Sequence, residues 1–145
     1  MLVHATTVAI GGAGVLIRGS PGSGKSDLAL RLIDGGARLV ADDQTEIERM
    51  GTRLVARAPK AIAGKLEVRG LGIVKVRASR QVRLVLAVDL ARPEDVARMP
   101  GEQWVDLLGI KLRLIRLAPF EVSAAAKLRL AAVSLAGKTA ILPSP

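Results

Sequence analysis

The fold class is decided by one stretch of the chain, Val15-Leu16-Ile17-Arg18-Gly19-Ser20-Pro21-Gly22-Ser23-Gly24-Lys25-Ser26. Its first three residues are apolar and predict the end of a strand, and Ser26 to Ile33 carries apolar side chains at helical spacing. Between them, Gly19–Ser26 matches the pattern G-x-x-x-x-G-K-[ST]. A strand, a glycine-rich loop and a helix in this order predict a P-loop in an α/β domain.

Each residue type in this loop suits the binding of phosphate. Glycines allow backbone amides to converge on phosphate oxygens, which larger side chains would obstruct. The helix that begins near Lys25 directs free amides and the positive end of its dipole at the anion. Lys25 adds a full charge for the β- and γ-phosphates, and the Ser26 hydroxyl is suited to bind Mg²⁺. The sequence therefore predicts an ATP and Mg²⁺ site made of Gly19, Ser20, Pro21, Gly22, Ser23, Gly24, Lys25 and Ser26.

The rest of the chain predicts a single domain, residues 1–145, that is rich in short strands. Leu2–Ile10 is predicted as one strand, which turns at Gly11-Gly12-Ala13-Gly14 into the strand before the loop. Further strands are predicted at 38–41, 45–49, 53–57, 66–69, 73–76, 82–88 and 110–117, and helices from Pro93 to about Met99 and at 123–135. The tail Pro143-Ser144-Pro145 is predicted to fray.

Composition narrows the class of protein. Half the residues are hydrophobic, yet there is one Trp, one Phe and no Tyr, so the core is expected to consist of Leu, Val, Ile and Ala. We expect a cytoplasmic protein with no membrane partner, because cysteine is absent, no secretory leader is recognisable and no apolar stretch reaches the roughly 18 residues that span a bilayer. The net charge of +9 favours anionic partners, but the scarcity of aromatic residues argues against nucleic acid.

Carboxylates that could complete the phosphate chemistry follow two apolar strands. Asp42-Asp43 follows the short strand at 38–41, and Asp89 follows the longest apolar run, as a Walker B aspartate would. A helix cap or a turn would equally account for Asp89. Two adjacent carboxylates repel each other unless a cation lies nearby, and a proton acceptor beside a Mg²⁺ site would explain the pair. We therefore rank Asp42-Asp43 ahead of Asp89.

Two further residues are candidates because of their setting. Glu67 opens the glycine-containing segment 67–72, where it is either a metal ligand or part of a solvated hairpin. His4 is the only histidine in the chain. A lone histidine in a strand is more often structural than functional.

Four segments together resemble the catalytic domain of bacterial HPr kinase/phosphorylase, the serine kinase of the phosphotransferase system. They are Val3-His4-Ala5 with the hairpin that follows, the loop Gly19–Ser26, Leu39-Val40-Ala41-Asp42-Asp43, and Leu66-Glu67-Val68-Arg69-Gly70-Leu71-Gly72-Ile73. They occur in the family's order within residues 1–76. The last of these segments is more specific than the P-loop.

The resemblance implies a mixed-sheet P-loop kinase domain similar to phosphoenolpyruvate carboxykinase, and an ATP- and Mg²⁺-dependent kinase that acts on a serine of HPr. It implies that Lys25 holds the phosphates and that Ser26 and Glu67 hold Mg²⁺. Asp43 would accept the proton of the attacking serine, with Asp42 beside it and His4 in a supporting role. Because the assignment rests on aligning a doublet, Asp42 and Asp43 could exchange roles. Members of the family are commonly hexameric, so a homo-oligomer is expected.

The chain departs from the family pattern in two places. It begins directly at the kinase domain, which resembles the short form of the family. Long-form relatives carry a loop rich in proline, glycine and arginine that is linked to removal of phosphate from serine. The nearest counterpart here, Ala118-Pro119-Phe120-Glu121-Val122-Ser123-Ala124, has no arginine. Phosphorylase activity is therefore expected to be weak while kinase activity is retained.

Two other functions are compatible with a P-loop. A small-molecule kinase would carry an arginine-rich lid, and Arg77, Arg80 and Arg83 have helical spacing, but the residues that follow predict a strand. Turnover of small acceptors without any protein substrate would favour this alternative. A non-catalytic ATP-sensing regulatory module would instead bind ATP without phosphorylating an acceptor or hydrolysing ATP.

Overall fold

Alternating apolar residues and glycine turns give the chain a strand-rich fold. The structure is a computed structural model, and it describes residues 1–135. The strands are β1 (Leu2–Val3), β2 (Ala5–Ile10), β3 (Ala13–Arg18), β4 (Arg38–Ala41), β5 (Thr45–Met50), β6 (Arg53–Arg57), β7 (Lys65–Val68), β8 (Gly72–Lys75), β9 (Gln81–Leu90), β10 (Gln103–Leu107) and β11 (Ile110–Leu117). The helices are α1 (Lys25–Asp34) and α2 (Ala124–Leu135). The predicted frayed tail lies outside the described residues.

The longest apolar run of the sequence forms β9, the centre of a mixed sheet. The strand order is β1-β5-β6-β9-β3-β2-β4, and β11 also pairs with β9 and carries β10 on its other side. Strand β9 is parallel to β3 and β11, whereas the remaining pairs are antiparallel. A separate hairpin consists of β7 and β8. The mixed sheet that the sequence predicts is therefore confirmed.

Four strands end at one edge of this sheet. Strands β3, β9 and β11 are parallel, and β4 points the same way because both β3 and β4 are antiparallel to β2. The residues that follow these strands therefore come together at their carboxyl ends, where open α/β sheets bind ligands. They are the P-loop after β3, Asp42-Asp43 after β4 and the 118–123 loop after β11.

The core is divided between the two faces of the sheet. Because successive side chains of a strand point to opposite faces, Val15 and Ile17 pack with α1 and α2, while Leu16 packs with the β5–β6 side. All three are fully buried. Both helices lie on the first face, where Leu28 of α1 and Leu128 of α2 join the same cluster. Burying a side chain of this size stabilises the fold by about 1.5–3 kcal/mol.

Two predicted elements differ from the structure, and one strand was not predicted. The strand predicted at Leu2–Ile10 is broken at His4, because β1 pairs with β5 whereas β2 pairs with β3 and β4. The helix predicted from Pro93 to Met99 is only a 3₁₀ turn at Pro93–Asp95, since no apolar stripe holds these largely exposed residues against the sheet. Strand β10 was missed because its residues are exposed or only half-buried. Within residues 1–135, no helix is long and apolar enough to cross a membrane.

The contact between β3 and β9 at Gly14 tests this arrangement. A Cβ at Gly14 would collide with the backbone oxygen of Arg83 and lie 2.7 Å from Cγ1 of Val82. We expect Gly14→Ala to lower the free energy of unfolding by about 1–3 kcal/mol, because the backbone of β9 must move. Gly101→Ala is the matched control, since a Cβ at that position would meet open space. Equal denaturation midpoints for the two variants would contradict the close approach of β3 and β9.

Candidate active site

The loop after β3 presents free backbone amides at the start of α1. Gly24 is the N-cap residue, with φ of 105°, and no side chain caps the helix. The first helical hydrogen bond runs from the amide of Leu28 to the oxygen of Gly24. The amides of the first turn therefore have no partner within the helix, which is the arrangement that binds phosphate.

Two glycines of this loop, Gly19 and Gly24, have close neighbours. A Cβ at Gly19 would collide with Oγ of Ser23, and a Cβ at Gly24 would lie 3.0 Å from Cζ of Phe120. Ser23 Oγ is also buried without a hydrogen-bond partner in the described part of the chain. An open cradle of amides beside a spare hydroxyl fits a bound phosphate group.

Lys25 places its charge inside the loop. Its side chain is only 6% exposed, and Nζ donates to the backbone oxygens of Gly19 at 2.8 Å and Ser20 at 3.2 Å. The same Nζ lies 3.6 Å from Oδ1 of Asp43. The cation that the carboxylate pair was expected to need is therefore Lys25.

Asp42 is a buried acceptor that joins four segments. Its Oδ1 accepts from the Ser26 hydroxyl at 2.7 Å and from the Thr6 hydroxyl at 3.2 Å. Its Oδ2 accepts from the backbone amide of Glu67 at 3.0 Å. Asp42 is 9% exposed, so these bonds are largely shielded from water. This carboxylate orients the Ser26 hydroxyl and holds the backbone of β7 beside the P-loop.

Asp43 points a different way from Asp42 because the backbone turns sharply there. The amide of Gln44 donates to the oxygen of Asp42 at 2.8 Å, and Asp43 between them has φ of 64°. This is a γ-turn with positive central φ, the rarer and more strained form. The Thr6 hydroxyl accepts from the Asp43 amide at 3.0 Å. The Asp43 side chain is 64% exposed and lines the cavity above the P-loop.

A cavity of about 450 Å³ lies over the loop and collects most of the predicted site. It is lined by Pro21, Gly22, Gly24, Lys25, Ser26, Asp27, Leu30, Asp43, Glu67, Val68, Arg69 and Phe120. A larger cavity of about 560 Å³ lies at the other end of the sheet, near the Gly11-Gly12 turn, and contains none of the predicted site residues. Of these two cavities in the described part of the chain, the smaller one includes the P-loop and is therefore the candidate site.

His4 and Asp89 lie apart from this group. His4 is exposed at the break between β1 and β2, next to the residue pair Ala5–Arg18 at the start of the P-loop, but it does not line the cavity. Asp89 forms two hydrogen bonds with the Arg18 guanidinium, at 2.7 and 3.0 Å. It is therefore neither a helix cap nor a turn residue, and it braces the strand that enters the loop.

Several residues of the site were given no role from the sequence, among them Thr6, Arg69 and Phe120. Thr6 contacts both aspartates, but a threonine in a strand carries no signal of its own. Arg69 lines the cavity and was visible in the segment 66–73, although no role was given to it. Phe120 lines the cavity from the loop after β11. The one feature of the sequence that could have drawn attention to Phe120 is that the chain has a single Phe.

The residues present fit Mg²⁺ better than a metal that needs a full protein cage. Within residues 1–135, no three His, Cys, Asp or Glu side chains come together as a metal site. Mg²⁺ is commonly held by one or two carboxylates together with substrate phosphates and water. The Ser26 hydroxyl, with Asp42 behind it and Glu67 across the cavity, provides such a partial set of ligands.

Comparison with known proteins agrees with this geometry. The family model of the HPr serine kinase C-terminal domain matches residues 1–117. The HPr kinase/phosphorylase of Clostridium perfringens is 35% identical over 79% of this chain and 41% of its own length. That of Cupriavidus metallidurans is 36% identical over 79% of this chain and 39% of its own length. The chain thus spans about two fifths of the length of these relatives.

A solved structure gives the same result for the fold. The Hpr(Ser) kinase/phosphatase from Coxiella burnetii has a TM-score of 0.80 and 27% sequence identity to this chain, and the match covers 89% of this chain and 91% of that one. The predicted α/β mixed-sheet kinase fold and the predicted family resemblance are both confirmed. The chain belongs to the family of the HPr serine kinase C-terminal domain.

Proposed function

We propose that this chain is an ATP- and Mg²⁺-dependent kinase that phosphorylates a serine of an HPr-like phosphocarrier protein. The observation that carries the proposal is the pairing of exposed Asp43 with buried Lys25, 3.6 Å apart at the mouth of a phosphate-binding loop. An exposed carboxylate beside a phosphate site can receive a proton from an incoming hydroxyl. The names of the relatives support HPr as the acceptor.

Residues of the P-loop and Asp42 would hold the nucleotide and its metal. The loop amides and Lys25 would bind the phosphate oxygens, and Ser26 and Glu67 would hold Mg²⁺. Asp42 fixes the Ser26 hydroxyl through their 2.7 Å hydrogen bond. When bound, Mg²⁺ neutralises charge on the β- and γ-phosphates.

Asp43 would act on the acceptor. The serine oxygen attacks the γ-phosphorus, its proton passes to the Asp43 carboxylate, and ADP leaves with the bridging oxygen. Lys25 lies 3.6 Å from Asp43 and would also bind the phosphates, so it would position the phosphate donor relative to the base. His4, next to the start of the P-loop, is assigned a supporting role only.

We also propose that the protein acts in the cytoplasm as a homo-oligomer. The absence of cysteine supports a reducing compartment. A hexamer rests on the family resemblance, and light scattering on the purified protein would reveal a monomer if that assignment is wrong.

The reaction is tested by transfer of labelled phosphate from ATP to HPr in the presence of Mg²⁺. We expect wild-type protein to label an HPr serine, and Lys25→Ala to lose both ATP binding and transfer. Asp43→Asn should lose about 10²–10⁴-fold in transfer rate while its ATP affinity stays within a few-fold of wild type. The Asn side chain tolerates the positive φ at this position, so the turn is kept.

Asp34→Asn is the matched control, because Asp34 is exposed at the far end of α1 and should leave transfer unchanged. ATP binding without labelling of HPr would contradict the proposal and favour a small-molecule acceptor or an ATP sensor. Full activity of Asp43→Asn would remove Asp43 as the base.

The two aspartates should differ in their effect on stability. Asp42→Asn replaces one acceptor oxygen by an amide that faces a donor in a buried site. We expect a loss of about 1–3 kcal/mol in the free energy of unfolding, measured by urea denaturation. Asp43→Asn alters a largely exposed side chain and should cost less. The reverse order would show that the buried and exposed roles are wrongly assigned.

The loop at 118–124 leads to a prediction about the reverse chemistry. It contains no arginine, so no guanidinium of this loop can hold inorganic phosphate for attack on phosphoserine. We expect release of pyrophosphate from phosphoserine-HPr in inorganic phosphate to be much slower than kinase turnover. Comparable rates for the two reactions, assayed on the same preparation, would refute this.

A further inference from the structure

Phe120 occupies an unusual position for a large apolar side chain. It is 72% exposed, although it is one of only two aromatic residues in the chain. The tip of its ring rests against Gly24 of the P-loop, where a Cβ would lie 3.0 Å from Cζ and 3.2 Å from Cε1. One end of the ring therefore contacts the loop backbone, and most of its surface remains open.

The backbone on both sides of Phe120 is anchored. Before it, Leu117 and Ala118 are buried, and the oxygen of Pro119 accepts a hydrogen bond from the Arg31 guanidinium of α1. After it, the backbone oxygen of Glu121 accepts a hydrogen bond at 3.1 Å from the amide of Ala124, the first residue of α2. The ring is therefore held over the P-loop by fixed neighbours, so little conformational entropy is lost when a ligand contacts it.

The cavity beside Phe120 is lined by both polar and apolar side chains. Six side chains supply the polar groups: Lys25, Ser26, Asp27, Asp43, Glu67 and Arg69. Leu30, Val68 and Phe120 supply the apolar surface in the same cavity. A ligand that matches this lining carries phosphates together with an apolar group.

We propose that Phe120 is the stacking platform for the purine base of the nucleotide whose phosphates bind at Gly19–Ser26. Of the proposed function, this inference requires one part, that ATP binds at this loop. Phe120 lies beyond residues 1–117, the segment that the family model matches. It is a residue that positions the nucleotide, and it takes no part in proton transfer. Stacking uses the face of the base, so it adds affinity for the nucleoside part alone.

The experiment compares binding of MgATP and of magnesium tripolyphosphate to the full chain by titration calorimetry. We expect Phe120→Ala to weaken ATP binding by about 5- to 150-fold, the range measured for loss of one base–aromatic stack. Tripolyphosphate affinity should stay unchanged, which also shows that the P-loop is still folded. Phe120→Tyr should keep wild-type affinity for ATP, because it preserves the ring. Trp104→Ala removes the other aromatic side chain, which lies under Arg113 outside this cavity, and should alter neither affinity.

Each other outcome overturns the proposal. Equal ATP affinity in wild type and Phe120→Ala would show that the base does not stack there, while leaving the proposed function intact. Equal losses for ATP and tripolyphosphate would show that Phe120 only supports the loop. An unchanged ATP affinity with a raised KM for HPr would assign the ring to the acceptor protein. Failure of wild-type protein to bind ATP would overturn this inference and the proposed function together.

Discussion

The arrangement of the site depends on one buried carboxylate. Asp42 accepts hydrogen bonds from the side chains of Thr6 and Ser26 and from the backbone of Glu67. These residues belong to β2, α1 and β7, which are far apart in sequence. A buried carboxylate is stable only when its oxygens are satisfied, so folding must bring the three donors to it. The position of the Ser26 hydroxyl and the approach of Glu67 both follow from that requirement.

The sheet provides the second constraint. Parallel strands β3, β9 and β11 deliver their following loops to one edge, and β4 adds Asp42-Asp43 at the same edge. Three segments therefore come together directly at the ends of their strands: 19–26, 42–43 and 118–123. The Arg18–Asp89 pair links β3 to β9 where β3 enters the loop. Asp89, which resembles a Walker B metal ligand in the sequence, thus holds the guanidinium of Arg18 and joins the two strands.

The sequence predicts those elements whose formation depends on residues close together in the chain. The P-loop, the helix after it and the hairpin at 45–57 depend on glycine, on apolar spacing and on turn residues, and all three were found. The break at His4 was not visible, because the apolar pattern runs on through it while the pairing partner changes. Strand β10 was also not visible, because its residues are exposed or half-buried and the alternation of apolar and polar side chains is weak. Thr6 and Phe120 reach the site only through tertiary folding, so no local pattern marks them.

The γ-turn at Asp43 has a consequence for protein engineering. Glycine adopts φ of 64° more readily than aspartate does, so glycine would relieve the strain of the turn, whereas the ion pair with the buried Lys25 favours aspartate. Strained residues of this kind persist where the surrounding structure and the function require them. A library of variants enriched only for heat resistance should therefore tolerate the loss of aspartate at position 43 in favour of glycine. The same library screened for catalytic turnover should retain aspartate at position 43. The two screens together would show how much of the preference for aspartate comes from stability and how much from catalysis.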